Sequence, residues 1–137
     1  GYCYDFGRTV IFGEPDPRAV EVHALVLRSQ AAGIAALQAG RMTAGEVDAT
    51  ARQVISAAGY GEAFRHRLGH GIGLDVHEAP FLTGQDRTVL QQGMCFTVEP
   101  SILIEDGLSA RVEDIVVVGA DGGVPLTSGF QDLIVVD

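Results

Sequence analysis

The chain has 137 residues and a hydrophobic fraction of 47%, enough to bury a core without disulfide or metal staples. With 9 Lys+Arg against 18 Asp+Glu the formal net charge is -9, which excludes attachment to nucleic acid through a basic face. All nine basic residues are Arg, so Schiff-base chemistry on lysine and a Walker-type phosphate lysine are excluded as well.

From Tyr2 to Phe12 aromatic and β-branched residues predict a strand, which Gly13-Glu14-Pro15-Asp16-Pro17 turns. A long helix follows, with Asp16 as N-cap and Pro17 at its first position. Its expected buried stripe is Val20, Ala24, Leu27, Ala31, Ile34 and Leu37, and its stop is Gly40. Thr43-Ala44-Gly45-Glu46 is a capping box that opens a second helix, buried through Val47, Ala51, Val54, Ile55 and Ala58 and ended by Gly59.

Beyond Gly59 the helical period gives way to a glycine-rich stretch. Strand patterns then run over Met94–Val98, Ser101–Ile104, Ala110–Val118 and Leu133–Val136, with Asp-Gly turns at Asp106-Gly107 and Asp121-Gly122. Short turns between strands predict antiparallel pairing and an α+β domain, with helices packed on one face of a curved sheet. Gly1 leads directly into a strand-like stretch, the pattern expected of a chain that starts within a domain. No apolar run is long enough to cross a bilayer, so no membrane partner is expected. Cys3 and Cys95 form no CxxC pair, which fits a reducing, cytoplasmic setting.

Three of the four histidines, His66, His70 and His77, fall within twelve positions beside Gly69, Gly71 and Gly73. This is either a glycine-rich loop with surface histidines or a site where imidazoles supply a metal ligand and a proton shuttle. A hairpin centred on Asp106 would set opposite each other residues whose numbers sum to 212, and so would place Glu99 across from Glu113. Like charges directly opposite on a sheet are destabilising. The pair is therefore either solvent-exposed or buried with a shared proton or a cation. Asp5 stands among aromatics with Arg8 as an available partner. Asp5, His70, Glu99 and Glu113 together form an oxygen-dominated donor set with one nitrogen, suited to Mn, Fe, Co or Zn, and the lack of thiolates argues against structural zinc.

Three motifs occur in one order: Gly1-Tyr2-x-x-Asp5-x-x-Arg8-Thr9, His66-x-x-x-His70-Gly71-Ile72-Gly73-Leu74-Asp75-Val76-His77-Glu78, and Thr97-Val98-Glu99-Pro100 with Arg111-Val112-Glu113-Asp114. In this the chain resembles the catalytic, pita-bread domain of the M24 metallopeptidases, in particular Xaa-Pro aminopeptidases and Xaa-Pro dipeptidases. The resemblance implies hydrolysis of peptide bonds preceding proline by a metal-bridging water. It implies two divalent ions, manganese first with cobalt, zinc or iron as alternatives, held by Asp5, His70, Glu99 and Glu113. Glu99 would also be the general base, His77 would steady the carbonyl and the tetrahedral intermediate, His66 would line the proline-side pocket, and Arg111 would hold the hydrogen-bond network. A peptide with proline after the scissile bond is the implied partner, and a homodimer the implied state of the full-length protein.

Two departures accompany the resemblance. The family has a further metal-binding aspartate upstream of the first motif, so residues 1–137 are expected to form a partial catalytic domain whose second metal is weakly held or absent. Gly7 stands where the nearest relatives usually have Thr. Within the same fold, a non-peptidase hydrolase of creatinase type and a catalytically inactive peptide-binding module are the alternatives, and the intact His70, Glu99 and Glu113 argue against the module.

Overall fold

The computed structural model describes residues 1–105 and 107–137. Among these are two α-helices, α1 (Pro17–Ala36) and α2 (Ala44–Ala57), a 3-10 turn at Gly61–Ala63, and nine strands. The strands are β1 (Val10–Phe12), β2 (Gly69–Gly71), β3 (Glu78–Leu82), β4 (Cys95–Val98), β5 (Ser101–Leu103), β6 (Ser109–Arg111), β7 (Asp114–Val118), β8 (Gly123–Pro125) and β9 (Ile134–Val136). The main sheet runs β3-β2-β4-β7-β8, all antiparallel, while β5-β6 and β1-β9 form two-stranded sheets. Both helices pack on this framework, so the α+β class holds. Among the described residues no helix is long and apolar enough to cross a membrane.

Local chemistry explains both helix starts. The Asp16 carboxylate accepts the Arg18 backbone N–H at 2.8 Å and Pro17 occupies N1. In the capping box, Thr43 and Glu46 each accept the other's backbone N–H, satisfying donors that the helix leaves open. α1, however, is rotated about one residue from the expected stripe. It buries Ala19, His23, Val26, Gln30 and Gly33, whereas Val20 and Ala31 are exposed. Hydrogen bonds make the polar members tolerable. Ser29 donates to Ala51 O and Gln30 donates to Val98 O, so the face closes against α2 and the sheet through groups that hydropathy counts as surface. Gly33 permits the approach, because a Cβ there would sit 3.2–3.3 Å from Leu68, Ala51 and Val98 side-chain atoms. In α2 the expected Val47, Ala51 and Ile55 are buried, but Ala58 lies past the helix end and is exposed.

Other strand expectations also change. The 2–9 segment forms no ladder beyond a single bridge from Gly7 to Glu113, and only Val10–Phe12 is a strand. Its alternation survives, with Tyr2, Tyr4 and Phe6 outward, because alternation needs an extended backbone and not a paired one. β1 pairs with β9 in parallel, which short turns cannot produce; the two strands come from opposite ends of the chain. The Ala110–Val118 stretch divides at Val112-Glu113 into β6 and β7. β2, β3 and β8 were not expected from the pattern, since Gly69-His70-Gly71 and Gly123-Val124-Pro125 carry little side-chain periodicity.

Arg8 does not pair with Asp5. Its guanidinium donates to Asp114 Oδ1 at 2.7 Å, to the carbonyls of Gly7 and Glu113, and to Phe130 O. Asp114 Oδ2 accepts from Gln30 and Gln131 in turn, which leaves its buried carboxylate fully engaged. Removing one partner of such a pair strands the other charge. Asp114→Ala is expected to cost about 3–5 kcal/mol, against about 1 kcal/mol for Thr43→Ala at the α2 cap. Urea-unfolding midpoints of the two variants check the order.

Candidate metal centre

Among the described residues all pairs in the two ladders flanking the site keep one register. Cys95, Phe96, Thr97 and Val98 face Val117, Val116, Ile115 and Asp114, while Ser101, Ile102 and Leu103 face Arg111, Ala110 and Ser109. Each pair sums to 212, the register expected of a turn centred on Asp106, although Asp106 itself lies outside the described residues. Between the ladders the backbones of Glu99 and Glu113 turn to other partners. Glu99 N–H donates to Leu68 O at 2.9 Å, and Glu113 exchanges two bonds with Gly7 at 3.0 and 3.1 Å. The sheet thus opens where the two acids face each other, and each is fixed by a different neighbour.

The other donors are delivered by close backbone approaches. A Cβ at Gly69 would collide with Thr97 O, so only glycine lets β2 lie against β4 and present His70. Asp5 hangs between two anchors, Cys3 N–H to Gly73 O at 2.8 Å and the Gly7–Glu113 bridge.

His70 is buried, and its Nδ1–H donates to Gly71 O at 3.0 Å, which leaves the lone pair on Nε2. That nitrogen lies 3.4 Å from Glu99 Oε1 and 4.0 Å from Asp5 Oδ2. One ligand atom each from Asp5, His70 and Glu113 fall within 4.8 Å of one another. Burial, then the Glu99 and Asp5 carboxylates, push Glu113 from its ordinary 4.5 up to about 7, with Arg111 acting in the opposite sense. A lone pair aimed at carboxylates, and a carboxylate that resists ionising, are both relieved by a cation at the same point. The residues present therefore fit a divalent metal ion.

Around this point the remaining candidates form a cleft of about 610 Å³. Glu99 is held from both sides, Oε1 accepting from the Thr97 hydroxyl at 3.1 Å and Oε2 lying 3.6 Å from Arg111 Nη1. His77 lies with its ring centroid 4.1 Å from that of His70. His66 donates through Nδ1 to Arg67 O, so its Nε2 accepts from the Ser101 hydroxyl and from Arg111 Nη2 at 3.3 Å. Burial, with Arg111 and Arg52 nearby, lowers the His66 pKa and keeps the ring neutral, while the Arg67 carbonyl and Glu99 act the other way. The structure brings all seven candidates, Asp5, His66, His70, His77, Glu99, Arg111 and Glu113, to one locality. Sequence reasoning missed Thr97, whose hydroxyl also accepts the His70 N–H, and Thr9, whose hydroxyl pins the Arg111 backbone by two bonds. Thr97 had a signal, two positions before Glu99 and so on the same strand face; Thr9 had none beyond its place in the first motif. Gly7 also gains a reason, for a Cβ there would stand 3.1 Å from Glu113 Oε2.

The profile of metallopeptidase family M24 matches residues 1–120. An Xaa-Pro dipeptidase of Lactobacillus delbrueckii subsp. lactis is 45% identical over 133 residues, which are 97% of this chain and 36% of that protein. The solved X-Pro aminopeptidase of Thermotoga maritima MSB8 superposes with a TM-score of 0.94 at 41% identity, covering 98% of this chain and 38% of that one. A dipeptidase structure from Pyrococcus horikoshii OT3 gives 0.93 at 43%, with coverage of 98% and 38%. The chain thus spans a little over a third of the length of these relatives and has part of their pita-bread fold.

In chelator-treated protein the raised Glu113 pKa has a thermodynamic consequence. The folded state binds more protons than the unfolded one between 4.5 and about 7, so its contribution to stability is full below that window and is lost as pH rises through it. Urea midpoints are expected to fall from about pH 5 to about pH 8, and the slope should flatten in Glu113→Gln or with a saturating divalent cation.

Proposed function

Because the chain belongs to metallopeptidase family M24, we propose that it carries the metal-binding and proton-transfer residues of an enzyme that hydrolyses peptide bonds preceding proline. The observation that carries this reading is the convergence of the His70 lone pair with the carboxylates of Asp5, Glu99 and Glu113. Held there, divalent ions, with manganese the first choice for so oxygen-rich a set, supply Lewis acidity and lower the pKa of a water molecule.

The chain's own groups then divide the work. Glu99, its carboxylate fixed by Thr97 and Arg111, takes the proton from the attacking water and passes it toward the departing prolyl nitrogen. Its rigidity matters, because a base that swings loses the geometry on which proton transfer depends. His77 lines the same cleft and donates to the oxygen on which negative charge develops. His66, neutral and bonded to Ser101, forms part of the wall on the proline side. A prolyl nitrogen carries no N–H, so recognition of this bond has to come from the shape of the ring and from its carbonyl oxygens.

The test uses the whole protein that contains this chain, loaded with manganese, and an Xaa-Pro dipeptide. Chelation should abolish hydrolysis and manganese restore it. Glu99→Gln is expected to lower kcat by about 10²–10⁴, and His77→Ala by about 10²–10³ with metal content unchanged. Full activity in Glu99→Gln would remove the proposed base. Binding of such peptides without turnover in the loaded wild type would favour a peptide-binding module instead.

A further inference from the structure

Ser101 opens β5 just after Glu99-Pro100, is fully buried, and pairs across the strands with Arg111. Its hydroxyl lies 2.5 Å from His66 Nε2. Because His66 Nδ1 faces the Arg67 carbonyl at 2.7 Å and so carries the proton, Nε2 offers one in-plane lone pair and no hydrogen. Two donors converge on that lone pair, the Ser101 O–H and, at 3.3 Å, Arg111 Nη2. The other terminal nitrogen of the same guanidinium lies 3.6 Å from Glu99 Oε2. Arg111 thus stands between two acceptors, and the shorter contact gives the imidazole to Ser101. Thr9 pins the Arg111 backbone, whereas its side chain is 44% exposed and long enough to turn either way. A buried hydroxyl with one rotatable bond fills the lone pair at a smaller loss of side-chain freedom than a guanidinium would.

We propose that Ser101 is a positioning residue that keeps Arg111 on Glu99: by filling the His66 lone pair, it leaves the guanidinium only the carboxylate to serve. This rests on the peptidase reading given above for the role of Glu99 as base. Without the hydroxyl, Nε2 is an unpaired acceptor in a partly buried position, and leaving such a group unpaired costs more than a partly exposed ion pair returns. Arg111 Nη2 then closes on His66, and Nη1 is drawn away from a contact that is already long. Glu99 keeps its bond from Thr97 on Oε1 but loses the restraint on Oε2, so the base turns about a single hydrogen bond. Ser101 does not line the cleft, and its loss therefore acts on proton transfer rather than on substrate binding.

Three measurements on the whole protein test the assignment. Crystal structures of the chelator-treated wild type and Ser101→Ala should show Arg111 leaving Glu99 for His66 in the variant. A water in place of the hydroxyl with Arg111 unmoved overturns the proposal. In the manganese-loaded protein, Ser101→Ala should lower kcat for Ala-Pro about tenfold while KM moves less than about twofold. Ser101→Cys, a weaker donor of similar size, should fall between the two. Where His66→Phe has already removed the lone pair, adding Ser101→Ala should lower kcat no further. An equal loss in both backgrounds, or a loss confined to KM, marks a packing role and overturns the proposal as well. If no Xaa-Pro peptide is hydrolysed but Arg111 moves in the variant crystal, the peptidase reading falls and the hold of Ser101 on Arg111 stands.

Discussion

Three carboxylates and the lone pair of one imidazole point at the same small volume, and their mutual repulsion is the condition that the surrounding structure has to meet. Left to themselves, Glu99 and Glu113 would be separated by a register slip or by rotation into solvent. Neither route is open. Ladders on both sides lock the register, and at the acids themselves the backbones leave each other for Leu68 and Gly7. The acids stay close because their supports are independent.

That independence comes from charge placed elsewhere. Arg8 spans the carbonyls of Gly7 and Glu113 and the carboxylate of Asp114, so one cation joins the segment bearing Asp5 to the strand that follows Glu113. Gln30 extends this network into α1, which explains why the helix turns a polar side toward the sheet. Its rotation relative to the hydropathy stripe is the cost of carrying a hydrogen-bond relay from the core to the back of the site. Buried ion pairs contribute little net stability when desolvation is counted, but they hold geometry firmly when every lone pair is used.

Much of the framework was readable from residues near one another in sequence. Thr43 and Glu46 declare their capping box within four residues, and the 212 register follows from alternation on either side of one turn. The helix rotation was not readable, because it depends on Gln30 meeting Asp114 and on Gly33 admitting Ala51, contacts that only the folded chain creates. β2 was hidden for a related reason: glycines chosen for close approach to Thr97 and Glu78 erase the side-chain pattern by which a strand is recognised. For the site, residue types and motif order indicated which side chains would gather. For Thr9 they gave only its place in the first motif, because its hold on the Arg111 backbone joins segments distant in the chain.

The parallel pairing of Val10–Phe12 with Ile134–Val136 gives the chain an order in time as well as in space. Closing a loop between elements so far apart carries an entropic penalty that grows with the intervening length, and such contacts form late in folding. Asp5 stands beside Gly7, whose bridge to Glu113 joins segments far apart in sequence, so the donors meet only once that long-range contact has formed. Until that bridge closes the donors lie scattered along the chain, and the cation site is as late a product of folding as the bridge itself.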